Sequence, residues 1–293
     1  MKIALLGVKG QIGNQLVPYF VSKAQYEVWG PNREDLNLYD VPLIYDNICS
    51  QHPDLIINCA AYTDVDGSEK YKDLAAKINY HAVRELAKAA KNLDVPLIHF
   101  STDYVFGGTK EEKYKESDNP NPLNHYGRTK LDGDEALLAI APRGIIFRTG
   151  WVYDWRRTNF FLSMKFVMQP GARIHVVDDQ FGIPNSAMVL AKKVYEYIIT
   201  NKFKKAEVVN LVCNEYTSWY QFAKLICTHL RKEAGVKIIP VSTEKYITTQ
   251  PKDKIIAMRP KYAVLDNSKA AGLGLVMPKW NTAFAEFIQK PYK

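Results

Sequence analysis

Apolar positions along the first half of the chain fall into two alternating rhythms. Ile3–Gly7 is a short run rich in strand formers, and Gln11–Val21 follows with apolar residues at helical spacing. The alternation repeats as a short strand at Tyr26–Trp29, a helix at Val41–Gln51 and a buried strand at Leu55–Ala60. Asp73–Asn92 reads as one long amphipathic helix, because Leu74, Ile78, Val83, Leu86 and Ala90 recur on one helical face. Leu97–Ser101, Tyr126–Ala139 and Gly144–Thr149 continue the series as strand, helix and strand. Strands alternating with helices are joined by right-handed crossovers into a parallel sheet covered on both faces. The predicted class is α/β: a Rossmann-type, doubly wound parallel sheet.

After Trp151 the rhythm changes. Aromatic and basic residues crowd into Trp151–Phe166, Gln169-Pro170-Gly171 marks a turn, and a short strand is expected at Arg173–Val177. Ala187–Ile199 has helical spacing, and Glu207–Val212 reads as a strand that rejoins the first sheet. A helix at Ser218–Arg231 and a Pro/Lys-rich tail complete the chain. The expected division is a main domain over 1–150, completed by about 187–212. A smaller interleaved C-terminal lobe is built from 151–186 and 213–293.

The first turn carries chemistry. Gly7, Gly10 and Gly13 follow the first strand and open the first helix. A dinucleotide pyrophosphate needs backbone amides at a helix N-terminus with no side chains in the way, which glycines supply. The spacing is GxxGxxG rather than GxGxxG, and its placement between a strand and a helix lifts it above an ordinary turn. About 20 residues beyond the last glycine, an acid would bind a free ribose 2′-hydroxyl and an Arg a 2′-phosphate. Asn32-Arg33-Glu34-Asp35-Leu36 offers both. Arg33, with its planar fork, leans toward NADPH; Glu34 and Asp35 keep NADH open.

Tyr126 and Lys130 stand at i and i+4, hence on one helical face. A phenol with a pKa of about 10 needs help to exchange a proton near neutrality, and a neighbouring ammonium favours its ionised form. Ser101-Thr102-Asp103-Tyr104 closes the preceding strand. Ligands of open α/β sheets bind outside the carboxyl ends of strands, where a hydroxyl can stabilise the oxyanion of a carbonyl under attack.

Composition changes this picture little. With 47% hydrophobic and 24% charged residues the chain is ordinary for a globular protein. The formal charge of +8, from 39 basic and 31 acidic residues, is spread without a basic block and reads as solvated surface, so no nucleic-acid partner is expected. No apolar run approaches the roughly 18 residues of a membrane span, and Ile3–Leu6 runs straight into glycines rather than forming a signal peptide. A cytoplasmic protein without a membrane partner, monomeric or homodimeric, is expected. The four cysteines lack CxxC spacing and read as free thiols. The six histidines form no HExxH or HxxxH pair, and no metal is expected.

Together the glycine loop, Tyr-x-x-x-Lys and strand-end Ser/Thr resemble the extended short-chain dehydrogenase/reductases. Longer strings narrow the likeness. Asn58-Cys59-Ala60-Ala61-Tyr62-Thr63 with Val65-Asp66 and Glu69, and Ser101-Thr102-Asp103-Tyr104-Val105-Phe106, are similar to the dTDP-4-dehydrorhamnose reductase family. So are Arg148-Thr149 with Trp151-Val152-Tyr153, and Asp179-Gln180-Phe181-Gly182-Ile183-Pro184. Ser218-Trp219, Arg259-Pro260, Leu265-Asp266, Lys269 and Pro278-Lys279-Trp280 carry the match to the end of the chain.

The resemblance implies that Thr102 polarises a sugar C4 carbonyl, Tyr126 donates the proton, and Lys130 holds the nicotinamide ribose and tunes Tyr126. It implies that Gly7, Gly10, Gln11, Ile12 and Gly13 hold the pyrophosphate. Asp35 and Leu36 would lie near the adenine, and Ala60, Ala61 and Tyr62 would line the cofactor. Thr63, Val65, Asp103, Tyr104 and Trp151 would face a nucleotide-diphosphate sugar, and the C-terminal lobe would be its binding lobe. The implied reaction is NAD(P)H-dependent reduction of dTDP-4-dehydro-L-rhamnose to dTDP-L-rhamnose. Reduction of a related nucleotide-4-keto-sugar, or a catalytically silent cofactor-binding subunit of another enzyme, are the alternatives. The retained proton relay speaks against the last.

The chain departs from the family pattern at five places. Gly150 stands where Ser is usual, Gly107 where Asp often follows Val-Phe, Asn185 for a Thr and Asp134 for a Glu. Asp154-Trp155-Arg156-Arg157-Thr158 replaces a glycine-rich stretch. Trp155, Arg156 and Arg157 either reach a sugar diphosphate or form a surface loop.

Overall fold

The computed structural model describes residues 1–200 and 203–290. Residues 201–202, within the stretch of about 187–212, and 291–293, the end of the expected C-terminal lobe, lie outside the described residues.

Six parallel strands form the central sheet, in the order Glu207–Asn210, Gly144–Thr149, Leu97–Thr102, Leu55–Asn58, Lys2–Leu6, Glu27–Trp29. Side chains alternate across a strand, so each buried strand feeds two cores. Ile3 and Leu5 join Leu16, Phe20, Ile57, Ile98, Phe147 and Val194 on one face. Ala4 and Leu6 join Ile44, Ile48, Ile56, Leu86, Ala90 and Ile146 on the other. The sheet is therefore covered on both faces, as the hydrophobic pattern required. From Lys2–Leu6 the chain passes outward to Glu27–Trp29 and then returns to the opposite side at Leu55–Asn58. That reversal is the topological switch point, the place where such sheets bind ligands.

Local chemistry fixes where the elements end. The strand expected over Leu55–Ala60 stops at Asn58, because Asn58 Oδ1 accepts from Ala60 N (3.1 Å) and turns the chain. Helix His125–Ile140 is capped by Asn124, which accepts from Gly127 N, and helix Trp219–His229 by Ser218, which accepts from Gln221 N.

Two expectations are corrected. The single long helix Asp73–Asn92 is instead Lys72–Ala76, a wide π turn at Lys77–His81, and Ala82–Leu93. Asn79 at the π turn is buried, accepts from Tyr62 N (2.8 Å) and donates to Tyr62 O (3.1 Å) and Thr129 Oγ1 (3.2 Å). Its carbonyl lies where a Cβ on Gly133 would fall. The inserted residue thus pins the Tyr62 segment and the Tyr126 helix to one point. The Pro/Lys-rich tail is also more ordered than a tail. Val236–Val241 pairs in parallel with Ala172–Val177, and helix Trp280–Ile288 packs Trp280, Phe284 and Phe287 into the larger core. Among the described residues no helix is long and apolar enough to cross a membrane.

Candidate active site

Gly7 takes φ +79, and a Cβ there would sit 2.7 Å from Ala60 N and 2.8 Å from the Cys59 carbonyl carbon. Gly10 N donates to Gly7 O (2.8 Å), and Gly10 caps helix Gln11–Val21 without any side-chain acceptor. The first amides of that helix therefore keep no side-chain cap of their own, which is the arrangement that receives a phosphate. Gly13 lies beneath the loop, where a Cβ would run into Gly7 O. The cradle fits a dinucleotide pyrophosphate because a side chain at Gly7 or Gly13 would push the loop off its own backbone, and without one the uncapped helix amides stand at the cleft.

Gly7, Gly10, Gln11 and Ile12 open into a cleft of about 790 Å³ at the switch point, ample for a ligand of this size. Arg33, Leu36, Ala60 and Ala61 line the same end. Thr63, Val65, Thr102, Asp103, Tyr104, Tyr126, Lys130 and Trp151 line the rest. Three expected residues do not reach it. Gly13 is packed below the loop. Asp35 is turned to Asn32, whose N–H donates to its carboxylate (3.0 Å), and so serves the turn that presents Arg33. Tyr62 is held through its backbone by Asn79 and places its hydroxyl toward Gly67.

Tyr126 and Lys130 both face the cleft, but their partners differ from the simple dyad. Thr102 Oγ1 donates to Asp103 Oδ1 (3.0 Å), accepts from Tyr104 N (3.1 Å), and shares a hydrogen bond with the Tyr126 phenol. Burial pushes the phenol above its usual range, and the carboxylates of Asp103 and Asp134 add to this, while the Thr102 bond opposes it. Tyr126 is thus held as the protonated acid. Lys130 Nζ bonds to Phe100 O (2.6 Å) and His99 Nε2 (3.0 Å). Burial lowers the lysine to about 8, against the pull of Asp134.

Beneath the dyad Asp134 is fully buried. It accepts from Ser101 Oγ (2.8 Å) and Arg148 Nε (3.2 Å), and Arg148 lies over the Phe106 ring (5.4 Å). This ion pair clamps the Tyr126 helix to the two strands that end at the site. On the other side, Asp103 is buried and its carboxyl is pushed up to about 7. A side chain at Gly150 would collide with that carboxyl, so the glycine in place of the usual Ser makes room for it.

At the far end Trp151, in the left-handed region at φ 48, stacks on Trp219 with ring centroids 3.4 Å apart and planes 5° apart. Gly182 is required beneath, since a Cβ would strike the Trp151 indole. Arg259 pairs with Asp66 (2.8 Å) and hydrogen-bonds Tyr104, drawing the C-terminal segment onto the site. The Asp154–Thr158 stretch lies on the glycine loop. Arg157 Nε donates to Lys9 O (2.9 Å), and Asn159 Nδ2 donates to Gln11 Oε1 (3.2 Å). Arg157, Asn159, Trp219, His99 and Asn79 went unassigned to this site in the sequence. Trp219 sits within a string that resembled the family and Arg157 within a stretch weighed for a sugar diphosphate, but the others carried no local signal.

The sheet, glycine cradle and Tyr/Lys pair define an oxidoreductase of the short-chain dehydrogenase/reductase type. A family model described as the RmlD substrate binding domain matches residues 1–292, and the chain belongs to that family. It is 33% identical over 300 residues to the dTDP-4-dehydrorhamnose reductase of Escherichia coli K12, covering 99% of this chain and 98% of that one. Among solved structures, a dTDP-4-dehydrorhamnose reductase from Clostridium acetobutylicum superposes with a TM-score of 0.89 at 33% identity, over 99% of both chains. One from Bacillus anthracis, in complex with NADP, gives 0.89 at 30% identity, again over 99% of both.

Proposed function

We propose that the chain reduces the C4 keto group of dTDP-4-dehydro-L-rhamnose to dTDP-L-rhamnose, with NADPH preferred over NADH. The observation that carries this reading is the gathering of Thr102, Tyr126 and Lys130 opposite the glycine cradle in one cleft. The relatives are named for this substrate, and one of them is described with NADP. When bound, the cofactor supplies the hydride. The Tyr126 hydroxyl donates to the carbonyl oxygen as it gains charge, and the Thr102 hydroxyl joins it by turning its one proton from Asp103, in a buried site where such bonds count for most. Tyr126, kept protonated by burial, passes its proton to that oxygen. Lys130, in its charged form, stabilises the phenolate that remains. On this reading residues 1–150 with about 187–212 hold the cofactor, and 151–186 with 213–293 hold the nucleotide-sugar.

Deuterium transfer tests where the hydride goes. NADPH deuterated at nicotinamide C4 should deliver the label to sugar C4, read by NMR of the product; label absent from C4 contradicts the proposal.

Of the charged residues in Asn32–Leu36, Arg33 lines the cleft. Arg33→Ala is expected to weaken NADPH binding about 10- to 100-fold, the scale of a charged hydrogen bond, and to leave NADH within about twofold. Fluorescence titration with both nucleotides checks this. Equal loss for both would remove Arg33 from 2′-phosphate recognition.

A further inference from the structure

Asn58, His99 and Lys130 form a buried row whose hydrogen bonds do not close for a charged lysine. Asn58 and His99 are 1% and 0% exposed, and Lys130 is 1% exposed. Asn58 Oδ1 accepts from Ala60 N (3.1 Å), which turns Nδ2 toward His99 Nδ1 (3.1 Å). Nδ1 is then an acceptor, and the single proton of a neutral ring stands on Nε2, facing Lys130 Nζ at 3.0 Å. A neutral amine closes the set: its lone pair accepts from Nε2–H, one N–H reaches Phe100 O, and the other faces the cleft. An ammonium would oppose donor to donor. To accept it, His99 must carry its proton on Nδ1 and the Asn58 amide must turn over, which releases Ala60 N–H beside the cleft.

We propose that His99 is the positioning residue of Lys130, and that the Asn58–His99–Lys130 row takes up one proton from solvent when a dinucleotide fills the cleft. The inference rests on the function proposed above. A bound dinucleotide would offer hydroxyl acceptors to the ammonium and oxygens to the released Ala60 N–H, since both residues line the cleft, and would so select the charged arrangement. Titratable and charged groups facing Lys130 are Tyr126 and Asp134 on its own helix, and His99 on the neighbouring strand. Arg148 pairs with Asp134 from the next strand, Asp103 lies on the following turn, and Cys59 beyond Asn58. Burial and the lysine hold His99 well below its ordinary range, so the ring stays neutral, and the lysine is the group that titrates near 8. The charged form binds better. Affinity is therefore flat below that value and falls as pH rises through it, until the bound-state pKa is reached.

The test is calorimetric titration of the intact protein with NADPH between pH 7.5 and 9, in phosphate and in Tris. The buffer dependence of the heat reports proton uptake. Wild type should take up about half a proton at pH 8, with Kd rising toward tenfold per pH unit above it. His99→Leu removes the ring nitrogen that donates to the neutral amine and would accept from the ammonium, and should move the break by at least one pH unit. His99→Gln, which restores a donor and an acceptor, should keep it near 8. Lys130→Met should bind with no uptake. Tight NADPH binding without proton uptake in wild type, or an unmoved break in His99→Leu, overturns the relay while leaving the proposed function standing. If His99→Leu fails to fold, wild type and Lys130→Met decide. Failure of wild type to bind NADPH overturns both.

Discussion

Tyr126→Phe should lower kcat by about 10²- to 10⁴-fold, the range for loss of a positioned general acid. The ring remains, so its edge-on packing against Tyr104 (6.1 Å between centroids) and the helix it belongs to are kept. Only the hydroxyl that meets Thr102 is lost. NADPH affinity should stay within about twofold, because the glycine cradle and Lys130 are untouched. Steady-state rates alongside nucleotide titration check the two halves separately. A variant that turns over at the wild-type rate would remove Tyr126 as the proton donor. A variant that loses rate and nucleotide affinity together would show a structural effect instead.

Asp134→Ala should be the most damaging change to stability. Asp134 is 0% exposed and Arg148 4%, and removing the carboxylate strands a guanidinium between two strands and a helix. Breaking one partner out of a buried pair costs about 3–5 kcal/mol, a fall in Tm on the order of 10 °C for a domain of this size. Replacing both partners, Asp134→Leu with Arg148→Met, should cost less than the single change, since no charge is left unpaired. Thermal unfolding of the three proteins measures this. Equal Tm for wild type and Asp134→Ala would mean that the pair carries no stability.

The central sheet was legible because its signals are local. Helix Gln11–Val21 and strand Gly144–Thr149 have the expected bounds, since periodicity and glycine placement lie within each segment. Helix Asp73–Asn92 was not legible as it stands. Its π turn exists because Asn79 meets Tyr62, Thr129 and Gly133, none of which its own helical periodicity reveals. Strand Val236–Val241 escaped notice because it is defined by its partner Ala172–Val177, and Pro240 weakens any strand signal of its own. The same distinction holds at the site. Tyr126 and Lys130 show their shared face through a spacing of four. Asp35, expected near the adenine, completes a turn with Asn32, a contact made by three-residue geometry. Arg157 reaches the glycine loop through a backbone at φ 60, a conformation that nothing in Asp154–Thr158 announces. His99 carried no motif at all, and its place beside Lys130 follows only from the register of strand Leu97–Thr102 against the Tyr126 helix.

The most direct test of the proposed reduction follows the absorbance of the reduced nicotinamide after purified protein, NADPH and freshly generated dTDP-4-dehydro-L-rhamnose are mixed. The expected result is rapid oxidation, slower with NADH, and absent when the keto-sugar is omitted. No oxidation of NADPH that the protein demonstrably binds would contradict the assigned substrate, and silence across other nucleotide-4-keto-sugars would leave a cofactor-binding protein without this chemistry.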